Sequence, residues 1–177
     1  MKYLKHFNEN IQSEKFYHAS NKLFDTLKIL ITNDGEDKFL GEGIYITNSE
    51  PAANTYGEHI YEVTILEPLK SLQYIEDIPR KDLMNIVDIL TDSDIDDLNY
   101  IADNLQDLLD EDKSLWGKSL ISEFKRYDVD VNSTVIKLGY NSIEAPLNKM
   151  NQFLKYPNTD RNICIIKNDI LKIKLIK

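Results

Sequence analysis

One cysteine, Cys164, stands in the 177 residues, so an intramolecular disulfide is excluded. It sits in an alternating apolar run and reads as a small buried residue. The three histidines are scattered, with His6 and His59 isolated, and no Cys/His cluster has metal-ligand spacing, so no metal is expected. Long apolar runs are missing too. No stretch approaches the roughly 20 residues of a membrane-spanning helix, and Met1-Lys2-Tyr3-Leu4-Lys5 lacks the apolar core of a secretory signal. The expected location is the cytoplasm, with no membrane partner. Low-complexity linkers and internal repeats are absent as well. A length of 177 residues, 42% of them hydrophobic, then implies a single domain with a sizeable core.

Positive charge is the other scarcity: 21 Lys and Arg face 30 Asp and Glu, a net charge of −9. Non-specific nucleic-acid binding starts from lysine and arginine on phosphates, so a nucleic-acid acceptor is disfavoured. The acidity is local. Residues 76–112 carry thirteen carboxylates against Arg80 and Lys81 only, while the rest of the chain is slightly positive. The acidic stretch is either a solvated helix face or a docking surface for a basic partner.

The same region has helical periodicity. Leu83, Met84, Ile86, Val87 and Leu90 recur at helical spacing, then Ile95, Leu98, Ile101, Ala102, Leu105, Leu108 and Leu109. Ser93 is the expected N-cap of this second helix. A third helix is expected to carry Leu115, Trp116, Leu120, Ile121 and Phe124, making residues 80–125 an inserted helical block. Around it the chain reads as β-rich. His59-Ile60-Tyr61-Glu62-Val63-Thr64-Ile65-Leu66 alternates with β-branched residues and predicts a strand. Residues 22–31 fit a short helix or a strand, and Asn33-Asp34-Gly35-Glu36-Asp37 a turn. Residues 1–15 read as a polar lead-in.

Two segments are chemically specific. Phe16-Tyr17-His18-Ala19-Ser20 reads as a short aromatic strand with a projecting histidine. Gly41-Glu42-Gly43-Ile44-Tyr45-Ile46-Thr47 reads as a glycine-flanked turn entering a strand that presents Tyr45. A helix is expected to follow, N-capped by Ser49 with Pro51, Ala52 and Ala53 behind it, and then Tyr56-Gly57. In this order the segments resemble the nicotinamide half-site of ADP-ribosyltransferases of the diphtheria-toxin and poly(ADP-ribose) polymerase type.

The resemblance implies an α+β fold with a split, mostly antiparallel β core and the acidic helical block as an insertion. It implies NAD as co-substrate, with no metal, and a macromolecular acceptor, in all expectation a protein. His18 would hold the adenosine ribose and Tyr45 would stack on nicotinamide. Ala19, Ser20 or the Gly41–Gly43 turn would contact carboxamide or ribose. Tyr56 either closes the nicotinamide pocket or is a core tyrosine.

A third match is Leu138-Gly139-Tyr140-Asn141-Ser142-Ile143-Glu144, read as a strand, followed after a polar loop by Asn162-Ile163-Cys164-Ile165-Ile166. Relatives open that second strand with the glutamate of a histidine–tyrosine–glutamate set; here Asn162 holds its position. Asparagine can hydrogen-bond a ribose hydroxyl but carries no charge to stabilise an oxocarbenium-like centre. Glu144 is the first candidate for a displaced acid and Asp160, in the Pro157-Asn158-Thr159-Asp160 turn, the second. The Leu138–Glu144 segment is also similar to phage anti-CRISPR ADP-ribosyltransferases that lack the usual glutamate. The implied activity is mono-ADP-ribosyl transfer from NAD with nicotinamide release, as in a phage or bacterial effector. A catalytically degenerate NAD-binding protein that grips a partner through its acidic helices is the alternative, and NAD hydrolysis a third possibility.

Overall fold

A computed structural model describes residues 14–27, 40, 42–147 and 159–177. The expectations placed on residues 1–13, on 28–37 and on Gly41 lie outside these residues. Among them the chain forms seven strands and five helices: β1 (Phe16–Ser20), β2 (Ile44–Thr47), α1 (Glu50–Ala53), β3 (His59–Ile65), β4 (Ser71–Gln73), α2 (Arg80–Thr91), α3 (Asp96–Asp110), α4 (Gly117–Arg126), α5 (Val131–Lys137), β5 (Ser142–Pro146), β6 (Arg161–Ile165) and β7 (Leu171–Leu175). The fold is α+β. One sheet runs in the order β4-β5-β6-β2-β1-β3-β7, and every neighbouring pair is antiparallel except β4 and β5.

The alternation of strand side chains gives the sheet two different apolar faces. On one face Ile143, Ala145 and Cys164 join the helical core of Leu83, Ile86, Leu90, Leu98, Ile101, Leu105, Leu120 and Phe124. On the other, Phe16, Ile44, Ile46, Val63, Ile163 and Ile165 form a separate cluster. The helical block connects the parallel strands β4 and β5 as a long crossover, and α2 and α3 pack against each other with their aspartates outward.

Local chemistry shifts three boundaries from expectation. Ser93 does not cap α3: the N-cap is Ile95, and the Ser93 hydroxyl accepts from the Ile95 amide at 3.3 Å, forming a turn one step earlier. Leu115 and Trp116 precede α4, which starts at Gly117, and Trp116 makes an isolated bridge to Asp77. Leu138-Gly139-Tyr140 is not strand. Leu138 is the C-cap of α5; Gly139 has φ +90°, its amide bonds the Ile136 carbonyl and the Tyr140 amide bonds that of Val135. This six-to-one and five-to-two pairing is a Schellman stop, which glycine allows and other residues resist. Strand β5 therefore begins only at Ser142.

Candidate functional site

The sheet is least well stitched between β1 and β2. These strands share a single registered pair, Tyr17 with Thr47, whereas β1 and β3 share five, from Phe16–Val63 to Ser20–His59. A cavity of about 210 Å³ opens at this seam, lined by Tyr17, His18, Ala19, Tyr45, Ile46, Thr47, Ala53, Tyr56 and Asn162. The expected site residues His18, Ala19, Tyr45, Tyr56 and Asn162 thus meet around one space, although they come from opposite ends of the chain.

Strand pairing explains the convergence. Tyr17 lies opposite Thr47, and Thr47 opposite Asn162, so three side chains from β1, β2 and β6 form one row across the sheet. Tyr45 is two residues before Thr47 and shares its face. The row's last member is the most informative. Asn162 is largely buried, with 8% exposure, and lines the cavity. A side-chain amide on a cavity wall has both N–H donors and a carbonyl acceptor to offer a ligand.

His18 replaces the missing β1–β2 ladder with its own side chain. Its Nδ1 lies 2.8 Å from the Tyr45 carbonyl oxygen. A carbonyl only accepts, so Nδ1 carries the proton and Nε2 keeps a lone pair in the neutral ring. Burial holds the His18 pKa below the ordinary 6.5, with the Tyr45 carbonyl working the other way. At neutral pH the ring is therefore an Nε2 acceptor, suited to a hydroxyl donor. Phe24 and Tyr61 hold it from behind, with ring centroids 6.5 and 6.2 Å away, and the Tyr61 hydroxyl accepts from the Phe24 amide at 2.8 Å.

Tyr45 contributes ring surface to the cavity and no spare hydroxyl. Its oxygen accepts from the Leu40 amide at 3.0 Å and sits beside Cys164. Burial raises the phenol pKa well above its usual value, so it stays protonated. Tyr56 is on the turn that follows α1, not in the helix, and is 58% exposed at the cavity rim. Gly57 sets its position: a Cβ there would lie 2.4 Å from the Ser20 backbone, so only glycine lets this turn close on the end of β1. Ser49 is the α1 N-cap, yet its side chain makes no capping bond; the Thr47 hydroxyl accepts from the Ser49 amide at 3.1 Å instead.

Other expected residues stand elsewhere. Gly43 is a backbone-contact residue, since a Cβ would meet the Ile165 carbonyl at 2.4 Å and the Cys164 sulfur at 2.5 Å, and it is not part of the cavity wall. Ser20 uses its hydroxyl locally, accepting from the Lys22 amide at 3.0 Å. Asp160 immediately precedes β6, its carbonyl accepting from the Leu147 amide at 2.9 Å, and it does not line the cavity.

Glu144 is on the other side of the sheet. Its partner across β6 is Ile163, whereas Asn162 pairs with Ala145, so Glu144 and Asn162 point to opposite faces. There Glu144 binds Arg161, Oε1 to Nη1 at 2.9 Å, in a second cavity of about 370 Å³ shared with Glu14, Phe16, Ile65, Leu69, Ser71 and Gln73. Its role as an acid beside Tyr45 is not supported by this geometry.

The first cavity therefore has aromatic walls, one fixed acceptor, one side-chain amide and no charged lining residue. Reading the sequence missed Tyr17 and Thr47 as wall residues. Their signal was present: Thr47 follows Tyr45 by two, and Tyr17 sits beside the histidine. Among the described residues no helix is long and apolar enough to cross a membrane, and no group of three His, Cys, Asp or Glu could hold a metal ion. No family model, curated protein or solved structure matches this chain.

Proposed function

We propose that the seam cavity binds the nicotinamide–ribose end of NAD and that the protein is a mono-ADP-ribosyltransferase acting on a protein. The supporting observation is the meeting of His18, Tyr45, Tyr56 and Asn162 on the wall of one small cavity. The rings of Tyr45 and Tyr56 suit a planar heterocycle. The His18 Nε2 lone pair takes a ribose hydroxyl, and the Asn162 amide takes another. In the reaction the C1′–N bond breaks with its electron pair going to nicotinamide. The acceptor's nucleophile then bonds C1′ and gives up its proton. Asp160, two residues before Asn162 and outside the cavity lining, is the carboxylate this reading assigns to the developing positive charge, and it would have to reach the bound ribose from there.

A second reading, retention of NAD without turnover, is favoured by one observation: no lining residue is charged. A neutral wall binds ground state and transition state about equally, and uniform binding does not accelerate a reaction. The acidic helical face would then carry the activity by gripping a basic partner.

Calorimetry with NAD, paired with chromatographic detection of nicotinamide in the presence of candidate acceptors, separates the two. Transfer predicts NAD binding and nicotinamide release by the wild type, with release lost in Asp160→Asn. Retention predicts binding without release, and release gained in Asn162→Glu. Absence of NAD binding defeats both.

A further inference from the structure

Asn162 faces the seam cavity, and the residue before it faces away. Arg161 turns its guanidinium to the back of the sheet, where it binds two carboxylates at once: Nη1 donates to Glu144 at 2.9 Å and Nη2 to Glu14. Its backbone amide donates to the Asn48 side-chain oxygen at 2.7 Å. The Asn48 amide nitrogen in turn donates to Glu14 and to the Thr159 carbonyl, both at 2.9 Å. The guanidinium carbon also stands 5.8 Å from the centre of the Phe16 ring.

Each partner belongs to a strand that walls the cavity, or to one beside it. Glu14 is two residues before β1, Asn48 follows the last residue of β2, Thr159 and Arg161 lead into and open β6, and Glu144 lies in β5. These contacts fall at the end of the strands where Tyr17, Thr47 and Asn162 form their row. There the β1–β2 ladder has its single pair, so backbone bonding alone holds β1 weakly to β2. The side-chain network spans this gap, tying the lead-in of β1 to β6 across the end of β2.

We propose that Arg161, with Glu14 and Asn48, is a latch that positions the seam cavity. It fixes the spacing of β1 from β2 and β6, and so sets how far His18 stands from Asn162. Its two arms differ in kind. The Glu144 arm is buried, with 10% side-chain exposure at the carboxylate, and anchors the arginine. The Glu14 arm is half open, with 44% at its carboxylate, and is the part that can release. Exposed charge pairs weaken with salt and buried ones much less, so the latch loosens at the Glu14 end while Arg161 stays docked on Glu144.

The decisive experiment is hydrogen exchange of the ligand-free protein, which does not depend on the NAD reading. Glu14→Gln leaves the Glu144 arm intact and avoids stranding a buried charge, so it keeps the fold where Arg161→Met risks losing it. Exchange in residues 16–20 and 44–47 is expected to rise roughly threefold to tenfold, the range for losing one partly exposed charged hydrogen bond, with residues 142–146 and 171–175 unchanged. No rise, or an equal rise across the whole sheet, overturns the latch. The second arm rests on the proposed function: NAD affinity is expected to fall roughly fivefold in Glu14→Gln with an unchanged unfolding midpoint. High salt is expected to weaken NAD binding in the wild type more than in the variant. Equal affinity and equal salt response overturn the positioning role. A wild type that ignores NAD defeats the proposed function, and the exchange result alone then decides the latch.

Discussion

Arg161 and Asn162 are adjacent in the chain and opposite in circumstance. Arg161 satisfies its guanidinium within the molecule, against two carboxylates in the back cavity. Asn162 is as buried as Glu144, and its side chain lines the front cavity. Both faces of β6 thus carry largely buried polar groups, one tied into ion pairs and the other on a cavity wall. Buried polar groups normally find partners. On the proposed function, the side bordered by aromatic walls is where NAD binds, and the side closed by ion pairs is where the fold holds itself. The expected consequence is a separation: losing the buried Glu144 arm at the back costs stability, whereas changes on the cavity wall, or at the Glu14 end that sets its spacing, cost binding.

The strongest way to break that separation is Glu144→Ala. It strands Arg161 with one exposed partner, and removing one member of a largely buried ion pair costs about 2–4 kcal/mol. Urea unfolding is expected to show that loss. A midpoint equal to the wild type would mean the back network contributes nothing. The mirror experiment is Asn162→Ala. No internal bond is lost, so stability is expected to stay within about 0.5 kcal/mol. NAD affinity is expected to fall by about 1–2 kcal/mol by calorimetry, the worth of a hydrogen bond whose partner is left unpaired. Loss of stability with unchanged affinity would reverse the assignment of the two faces.

A finer test uses pH. The folded-state pKa of His18 lies below the unfolded value of 6.5 because burial disfavours the charged ring. The stability this neutral histidine supplies is fully present above 6.5. It declines as pH falls from 6.5 through the lowered folded-state value, since the unfolded chain takes up the proton first. NAD affinity is expected to decline only as pH falls to the lowered folded-state value and beyond, because the folded ring then protonates and Nε2 donates instead of accepting. His18→Gln is expected to remove both slopes; a slope that survives belongs to another group. The smallest effect is expected far from either cavity. Neutralising the exposed Asp94, Asp96, Asp97 and Asp103 together is expected to change stability by only about 0.5 kcal/mol and leave NAD affinity intact. Association with a basic partner, where one exists, is expected to slow and lose its salt dependence. Rates and salt slopes equal to the wild type would show that this face is only solvated.

Much of the cavity was legible in the sequence because its members lie on short strands with strong local signals. His18 is flanked by aromatics, Tyr45 by glycine and isoleucines, and Asn162 opens an apolar alternating run. The leucine spacing of α2 and α3 was equally plain. The face taken by Glu144 was not. Strand parity is set by where the strand starts, and the Schellman stop at Gly139 moved that start to Ser142, a step that depends on α5. That helix has only seven residues and just Thr134 and Val135 buried, too weak a pattern to read. The Arg161 network was invisible for a different reason. Its partners Glu14 and Asn48 are more than a hundred residues away in sequence, and no local periodicity encodes an ion pair of that span.

The strand order has a consequence for the timing of folding. β6 is the strand that joins β4 and β5 to β2, β1, β3 and β7, and it follows every other strand but β7 in sequence. Before it leaves the ribosome, β2 has an open edge and the row from Tyr17 to Asn162 lacks its last member. Contacts between distant parts of a chain are slow to form, and those of β2 with β6 span most of this one. A chain cut before β6 therefore has β1 and β3 but no complete pocket, and any chemistry that pocket performs waits for β6.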